Sequence, residues 1–307
     1  MGMRVAVTGG TGFIGKALVA TLLARGDAVL VLTRSPAKAQ ANVRAHPELA
    51  FERWDAEREP ATWVGAVDAV VHLAGEGVFD RRWSEARKKA LVDSRVLGTM
   101  AIAEAIREAS PRPKVWLSAS AIGYYGQDSQ TPPQAESGAP GTDFLAGLAQ
   151  AWERAADRAH GLGVRIVHPR IGLVLGKGGG ALGQMLPPFR AGVGGALGSG
   201  KQAFPWIHIE DAVRAMVFLL DTASVDGPVN IVAPATDTMG AFAKALGHAL
   251  HRPAFFTVPG FALAAALGAE RARALLEGVP VLPEKLQAAG FAYRFPSVDA
   301  ALADILA

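Results

Sequence analysis

The length and composition favour one large α/β unit carrying a smaller lobe over two equal domains. The chain has 307 residues, a net charge of +3 and no cysteine, and α/β folds of this size commonly form one main core. Half of the residues are hydrophobic, which supports a sizeable core and argues against disorder. The lack of cysteine excludes disulfides and thiolate metal ligands, and we predict no metal site.

The charge pattern and the lengths of the apolar stretches indicate which binding partners and which cell compartment to expect. Because basic and aromatic residues do not interleave, nucleic acid is not an expected partner. The densest basic stretch consists of Arg81, Arg82, Arg87, Lys88 and Lys89. It is either a solvated helix face or a surface that attracts an anionic cofactor or substrate. No signal peptide is apparent, and the apolar stretch 258–269 is too short to span a bilayer, so we expect a cytoplasmic protein without a membrane partner.

The first thirty residues predict one strand–helix–strand unit. Residues 5–7 form a short apolar run that stops at glycines, which is typical of a buried parallel strand. Apolar residues then recur at helical spacing over 13–25, Gly26 ends that helix, and 28–32 is a second strand. Together they have the size of a βαβ unit.

The same alternation continues along the chain. The predicted elements are strands at 69–73, 115–118 and 164–167 and helices at about 84–109 and 144–160. Repeated βα units indicate a parallel sheet covered by helices on both faces. We therefore predict a Rossmann-type, doubly wound α/β domain over 1–170, with a return strand near 228–232. Residues 171–307 are predicted to form a smaller, mainly C-terminal substrate lobe.

Two segments of this pattern carry further expectations. The buried stripe of the 84–109 helix is predicted to include Leu91, Leu97 and Ile106. The segment 172–200 contains eleven glycines and cannot be one regular element. It is either a set of loops between core pieces, or backbone that approaches a ligand closely or closes over it.

A glycine-rich turn follows the first strand and opens the first helix. Its spacing, Gly9-x-x-Gly12-x-x-Gly15, lies inside the βαβ unit, which is the context of a dinucleotide site. Such a site needs a tight turn, backbone without a Cβ beside the pyrophosphate, and free N–H groups at a helix N-terminus. The alternative is a purely structural turn. The predicted cofactor contacts here are Gly9, Thr11, Gly12, Phe13 and Ile14.

The end of the second strand distinguishes between cofactors. An NAD site usually has Asp or Glu there to bind the ribose 2′-hydroxyl, whereas this chain has Thr33-Arg34-Ser35. A carboxylate would repel a 2′-phosphate, and the Arg34 guanidinium can bind it and stack beside the adenine. We therefore predict NADP(H), bound in part by Thr33 and Arg34. The alternative is that Arg34 is an ordinary surface arginine.

Further motifs accompany the glycine turn. They are His72-Leu73-Ala74-Gly75 and the stretches 118–126, 204–211 and 290–296. With them the chain resembles the extended (atypical) short-chain dehydrogenase/reductases, NAD-dependent epimerase/dehydratase-like proteins. Within this superfamily it looks most like the epimerase-family proteins of unassigned substrate. The resemblance covers essentially the whole chain and leaves a homodimer open, because the long 84–109 helix corresponds to one that pairs across dimers in related folds.

The resemblance implies roles for residues around a nicotinamide site. It implies that the nicotinamide ribose is lined by Leu73, Ala74 and Gly75. It also implies that Ser118 and Ser120 lie near the reacting carbon and that Asp55 lies near the adenine. Arg95 stands where relatives commonly carry asparagine. It either faces the pocket, where it can hold a phosphate or a substrate carboxylate, or pairs with an acid on the surface.

The chain departs from the family at the catalytic pair. Family enzymes use Tyr-x-x-x-Lys on the helix after the serine strand, and the matching positions here are Phe144 and Leu148. Neither side chain can transfer a proton. Three alternatives stay open: a phenol from Tyr124 or Tyr125, an acid/base role for His208 or Glu76, or no chemistry. The residues named in these alternatives also have structural readings, such as a helix-capping role for His208.

The phenol alternative needs a cation nearby, because an unperturbed tyrosine has a pKa near 10. Arg95 and Lys89 are the candidates for that cation. The leading hypothesis is an NADP(H)-dependent oxidoreductase or epimerase-like enzyme acting on a small carbonyl or sugar-type substrate. In it Ser120 orients the substrate oxygen and Tyr124 donates the proton. The alternative is a non-enzymatic NADPH-binding protein that reports redox state to a partner.

Overall fold

A parallel β-sheet with helices on both faces forms the centre of the protein, in a computed structural model that describes residues 2–41, 43 and 45–307. The strands are β1 Arg4–Thr8, β2 Ala28–Thr33, β3 Leu49–Arg53, β4 Ala69–His72, β5 Val115–Ser118, β6 Ser120–Ala121, β7 Arg165–Ile171, β8 Leu173–Leu175, β9 Gly195–Leu197, β10 Trp206–His208, β11 Gly227–Ile231 and β12 Phe256–Val258. The helices are α1 Phe13–Arg25, α2 Pro36–Gln40, α3 Glu85–Glu108, α4 Phe144–Asp157, α5 Gly180–Arg190, α6 Ile209–Asp221, α7 Met239–Ala249, α8 Gly260–Leu267, α9 Ala269–Leu276, α10 Glu284–Ala288 and α11 Val298–Leu306.

The main sheet has the strand order β11-β7-β5-β4-β1-β2-β3, and β6 pairs with β7 beyond this path. Alternate residues of the buried strands face opposite layers. Val5 and Val7 pack in the cluster that includes α1 and α6, whereas Ala6 packs in the one that includes α3. The predicted Rossmann-type fold is therefore confirmed. Because the chain order reverses between β1 and β4, a crevice for a ligand opens outside the carboxyl ends of these two strands.

Side chains and glycines fix where the site-bearing helices begin and end. Ser84 accepts a hydrogen bond from the Arg87 amide and caps α3, and Asp143 accepts from the Leu145 amide at 2.9 Å and caps α4. Gly26 ends α1 with a φ of 90°, a left-handed conformation that favours glycine.

The predicted buried stripe of α3 is partly wrong. Leu91 and Ile106 are fully buried, but Leu97 is 40% exposed, because the buried face of the helix is formed by residues such as Ser94, Gly98 and Ile102 instead. A homodimer across this helix stays a prediction.

The C-terminal part of the chain builds a second core beside the sheet. Its cluster includes Trp206, Phe242 and Leu302. The glycine-rich stretch is not continuous loop, since it forms β8, α5 and β9. No helix in the described part of the chain is long and apolar enough to cross a membrane.

Candidate active site

The glycine turn between β1 and α1 has the backbone geometry that a dinucleotide requires. Gly9 has a φ of +69°, and a Cβ there would lie 2.8 Å from the Leu73 backbone. A Cβ at Gly15 would overlap the Gly9 carbonyl oxygen, so the helix packs against the turn without space for a side chain. Thr11 and Gly12 are exposed at the N-terminus of α1. The open backbone at that position therefore fits a pyrophosphate.

The glycine-rich segment after β8 approaches this turn closely. A Cβ at Gly179 would lie 2.5 Å from the Phe13 ring, and Gly176 and Gly180 also face that ring. Ile14 instead packs on the core beneath the sheet. The structure thus places residues 176–180 against Phe13 at this turn and forms β8, α5 and β9 from other parts of the segment 172–200. A close approach of this backbone to a ligand stays a prediction.

The ends of β2 and β3 meet on the other side of the turn. The Trp54 amide donates to the Thr33 carbonyl at 3.1 Å, which brings Thr33, Arg34 and Asp55 to one edge. Arg34 is exposed and makes no hydrogen bond or ion pair with another described residue. The Asp55 carboxylate accepts from the Glu57 amide at 3.2 Å. A free guanidinium directly after β2 fits a 2′-phosphate better than a 2′-hydroxyl.

The loop after β4 lies beside the glycine turn. The Leu73 amide donates to the Thr8 carbonyl at 3.1 Å, and the Ala74 amide donates to Thr8 Oγ1 at 3.2 Å. The Thr8 hydroxyl also meets His72 Nδ1 at 2.7 Å. Burial lowers the pKa of His72 to about 4, so this ring is neutral near pH 7. The structure therefore brings Leu73 and Ala74 next to the turn.

Arg95 is buried against the same loop and has no acidic partner in the described chain. Its Nη2 donates to the Glu76 carbonyl at 2.9 Å, and its Nη1 donates to the Leu91 carbonyl at 3.2 Å. A Cβ at Gly75 would lie 3.2 Å from its guanidinium carbon. Burial, with a smaller contribution from Arg87, lowers the pKa of Arg95 to about 10. The alternative that Arg95 pairs with a surface acid is wrong.

Ser118 and Ser120 end up in different surroundings. Ser118 is fully buried at the end of β5, and its Oγ has no partner among the described residues. The Ser120 hydroxyl donates to Glu153 Oε1 at 2.6 Å. A serine hydroxyl has one hydrogen, so Ser120 can present only lone pairs to a substrate.

A buried ion pair that sequence reasoning missed holds Ser120. Arg170 from β7 donates through Nε and Nη2 to both oxygens of Glu153 from α4, each at 2.8 Å. Burial alone lowers the pKa of Arg170, but the Glu153 carboxylate more than compensates and raises it above its ordinary value. The signal in the sequence was a charged residue at a position where the apolar pattern of α4 and of β7 predicts burial.

The two tyrosines have different roles around Arg170. The Tyr125 hydroxyl donates to Asn230 Oδ1 at 2.8 Å and accepts from Arg170 Nη1 at 2.9 Å, so it belongs to the buried network. Burial raises the pKa of Tyr125. Tyr124 is half-buried, its ring centroid lies 3.4 Å from the Arg170 guanidinium carbon, and its hydroxyl bonds to no described residue. Tyr124 is therefore the phenol that is free to act on a ligand.

The cations expected beside a tyrosine lie elsewhere. Arg95 stacks over Trp152 at 5.1 Å, and Lys89 pairs with Asp93 on the surface of α3. That expectation is wrong because both residues lie on α3, whereas Arg170 reaches the tyrosines from the sheet.

Apolar side chains that pack against their neighbours stand at the two positions where family enzymes carry the catalytic tyrosine and lysine. Phe144 meets Trp83 edge to face, with ring centroids 5.2 Å apart, and the Lys88 ammonium lies 5.5 Å from the Phe144 ring. Leu148 is buried in α4. Neither position offers a proton donor.

Glu76 and His208 are held by protein partners. The Glu76 carboxylate forms an ion pair with Arg87. His208 Nδ1 accepts from the Glu210 amide at 3.1 Å and caps α6, and its Nε2 lies 3.3 Å from the Asp304 carboxylate. Burial lowers the pKa of His208, and Asp304 opposes this effect. The structural reading of His208 as a capping residue accounts for its contacts.

Comparisons with known proteins agree with this geometry. Residues 5–232 match the model of the NAD dependent epimerase/dehydratase family, and residues 258–305 match a domain of unknown function, DUF1731. The human epimerase family protein SDR39U1 is 42% identical over 308 residues, which cover 99% of this chain and 100% of the relative. The chloroplastic SDR39U1 homologue of Arabidopsis thaliana is 41% identical, with 99% of this chain and 87% of the relative covered.

A solved structure matches along the same length. The crystal structure of human SDR39U1 (isoform 2) with NADPH has a TM-score of 0.87 and 40% identity, covering 99% of both chains. The cofactor of that structure is the one predicted here from Arg34.

Proposed function

The chain belongs to the NAD dependent epimerase/dehydratase family, and we propose that it is an NADPH-dependent oxidoreductase or epimerase-like enzyme acting on a small carbonyl or sugar-type substrate. The observation that carries the cofactor assignment is the pairing of the Gly9–Gly15 turn with a free Arg34 directly after β2. The predicted cofactor is also the one bound by the human relative. We propose that the protein acts in the cytoplasm, although its Arabidopsis relative is chloroplastic.

The residues that hold the cofactor divide into three groups. The turn residues Gly9, Thr11 and Gly12 bind the pyrophosphate through backbone N–H groups. Thr33, Arg34 and Asp55 surround the adenosine end. At the other end, the nicotinamide ribose is lined by Leu73, Ala74, Gly75 and Ser118, with Arg95 behind them. The positions of these residues around the crevice support the proposed assignments.

The chain's own groups then define the proton chemistry. NADPH, when bound, supplies the hydride for reduction of a carbonyl carbon. The carbonyl oxygen must also gain a proton to give the alcohol, and Tyr124 is the free phenol at this edge of the sheet. The Arg170 guanidinium, itself paired with Glu153, stacks on the Tyr124 ring and holds it in place. Because Ser120 donates its own hydrogen to Glu153, its oxygen accepts a hydrogen bond from the hydroxyl of the alcohol form of the substrate and donates none to the carbonyl oxygen.

A turnover screen tests the enzymatic proposal. The purified protein is given NADPH and a panel of carbonyl compounds, and NADPH oxidation is followed. We expect turnover that is lost in Tyr124→Phe and reduced in Ser120→Ala, with NADPH binding retained in both variants. Tight NADPH binding without turnover across the panel would instead favour a redox-sensing protein, the function that Phe144 and Leu148 support.

The cofactor assignment has its own test. Arg34→Ala should weaken NADPH binding by about 10–100-fold, the equivalent of roughly 1.5–3 kcal/mol for hydrogen bonds to a charged group. NADH binding should change little. Equal weakening of both cofactors, measured by fluorescence titration, would contradict a contact between Arg34 and the 2′-phosphate.

A further inference from the structure

Two buried arginines without an acidic partner contact the loop that follows β4. Among the described residues, Arg95, Arg170 and Arg271 are the buried arginines, and of these Arg170 alone has a carboxylate at hydrogen-bond distance. Arg271 lies on α9 in the C-terminal lobe and is 9% exposed. Its Nη2 donates to the Phe79 carbonyl at 2.5 Å, and its Nε has no partner in the described structure.

The two unpaired charges reach the loop from opposite lobes. Arg95 on α3 donates to the Glu76 carbonyl and Arg271 on α9 donates to the Phe79 carbonyl. Both guanidinium groups therefore bind the backbone of the same four-residue stretch, 76–79. The acids of this loop do not neutralise them: Glu76 pairs with Arg87, and Asp80 forms no ion pair with either arginine. A buried charge without a counter-ion is costly, and a bound anion would remove that cost.

The cofactor does not bring an anion to this place. Its pyrophosphate belongs at the turn that opens α1, and its 2′-phosphate belongs beside Arg34 at the end of β2. In the sheet, β2 lies on one side of β1 and β4 lies on the other. The loop after β4 therefore faces the nicotinamide end of the crevice. An anion at this place must come from the substrate, because neither phosphate site of the cofactor lies there.

The loop that Arg271 contacts carries aromatic side chains. Phe79 and Trp83 have ring centroids 6.0 Å apart, and Trp83 meets Phe144 from α4 at 5.2 Å. The Trp83 indole N–H donates to the Val78 carbonyl at 2.8 Å, so its hydrogen is already used. Sugar hydroxyls lose their water on binding and need protein partners in exchange. These half-buried rings offer apolar surface instead.

We propose that an anionic aromatic carbonyl compound binds where the loop 76–83 meets α9, with Arg271 binding its carboxylate or phosphate-type group. The aromatic body packs against Phe79, Trp83 and Phe144. This inference rests on the proposed NADPH-dependent reaction and narrows its substrate, because it excludes an uncharged sugar.

Calorimetric binding to the protein saturated with NADP⁺ tests this inference without turnover. Four probes separate the features of the substrate. They are benzoylformate, benzoylphosphonate, acetophenone and pyruvate. We expect benzoylformate or benzoylphosphonate to bind at least tenfold more tightly than uncharged acetophenone and than pyruvate, which lacks a ring. Whichever of these two anions binds more tightly shows whether the site prefers a carboxylate or a phosphate-type group.

Variants of α9 assign the preference to Arg271. Arg271→Met should remove the tenfold preference for the anion, and Arg271→Lys should restore part of it. Arg273→Met is the matched control, because Arg273 is exposed on the same helix and pairs with Glu277; it should leave the preference intact. NADP⁺ affinity should be equal in all three variants, which also shows that each has folded.

The outcomes separate this inference from the proposed function. Failure of both anionic probes to bind more tightly than acetophenone, or an unchanged preference in Arg271→Met, would overturn the inference. NADPH oxidation with an uncharged substrate would at the same time leave the enzymatic proposal standing. Conversely, Arg271-dependent binding of an anionic probe without any NADPH oxidation would support the site and contradict the enzymatic proposal.

Discussion

The buried pair of Arg170 and Glu153 gives the sharpest test of how this site is held. In Arg170→Met the Glu153 carboxylate stays buried without its counter-ion. Breaking a buried pair in this way costs about 3–5 kcal/mol. The bidentate contact at 2.8 Å and the lost donation to the Tyr125 hydroxyl justify that range.

The expected effect on heat stability follows from the size of the protein. At about 2–4 °C per kcal/mol for a large domain, Arg170→Met should lower Tm by roughly 6–20 °C in a calorimetric scan. The second variant, Arg170→Met combined with Glu153→Gln, keeps an acceptor for Ser120 but removes the charge. We expect it to be more stable than Arg170→Met alone by at least about 2 kcal/mol, since the unpaired charge causes most of the loss.

The double variant distinguishes an electrostatic origin of the stability loss from a packing origin. If Glu153→Gln added its own loss to that of Arg170→Met, the two residues would act independently. The cost would then come from packing, and the electrostatic account of the pair would be refuted.

Three further predictions concern the turn, a buried histidine and a helix cap. Gly15→Ala should abolish NADPH binding in a fluorescence titration, because its Cβ overlaps the Gly9 carbonyl, whereas the control Gly147→Ala, with open space around it, should bind normally. His72 has a folded-state pKa of about 4 against about 6.5 when unfolded, so stability is complete above pH 6.5 and falls by roughly 3 kcal/mol as the pH drops towards 4; a Tm loss of equal size in His72→Gln would contradict this. His208→Ala should cost roughly 1 kcal/mol through the lost cap and leave turnover unchanged, and a large fall in kcat would instead place His208 at the substrate.

The cofactor half of the site could be predicted from sequence because its determinants are local. The turn Gly9–Gly15 and the residue Arg34 lie within one βαβ unit, so backbone geometry and a single charge are enough to predict a binding role for them. The pair of Glu153 and Arg170 joins a helix to a strand 17 residues later, and no local rule matches such partners. Arg271 was missed for the same reason, since its contact with Phe79 spans 192 residues.

One buried network couples the serine to the C-terminal lobe. Arg170 binds Glu153 and the Tyr125 hydroxyl, and that hydroxyl donates to Asn230 on β11. The Asn230 side chain donates to the Leu282 carbonyl at 2.8 Å, in the segment that leads to α10.

The position of the lobe that carries Arg271 is thus tied to the group that orients Ser120. Glu136 adds a second link, because its carboxylate accepts from the backbone amides of Asn230 and Lys285. A disturbance of the Arg170 pair should therefore displace the Ser120 hydroxyl and weaken anion binding at the proposed site across the crevice. A protein that only sensed bound NADPH would need no link between Ser120 and the C-terminal lobe. For this reason the arrangement favours an enzyme that must align a substrate between its two lobes.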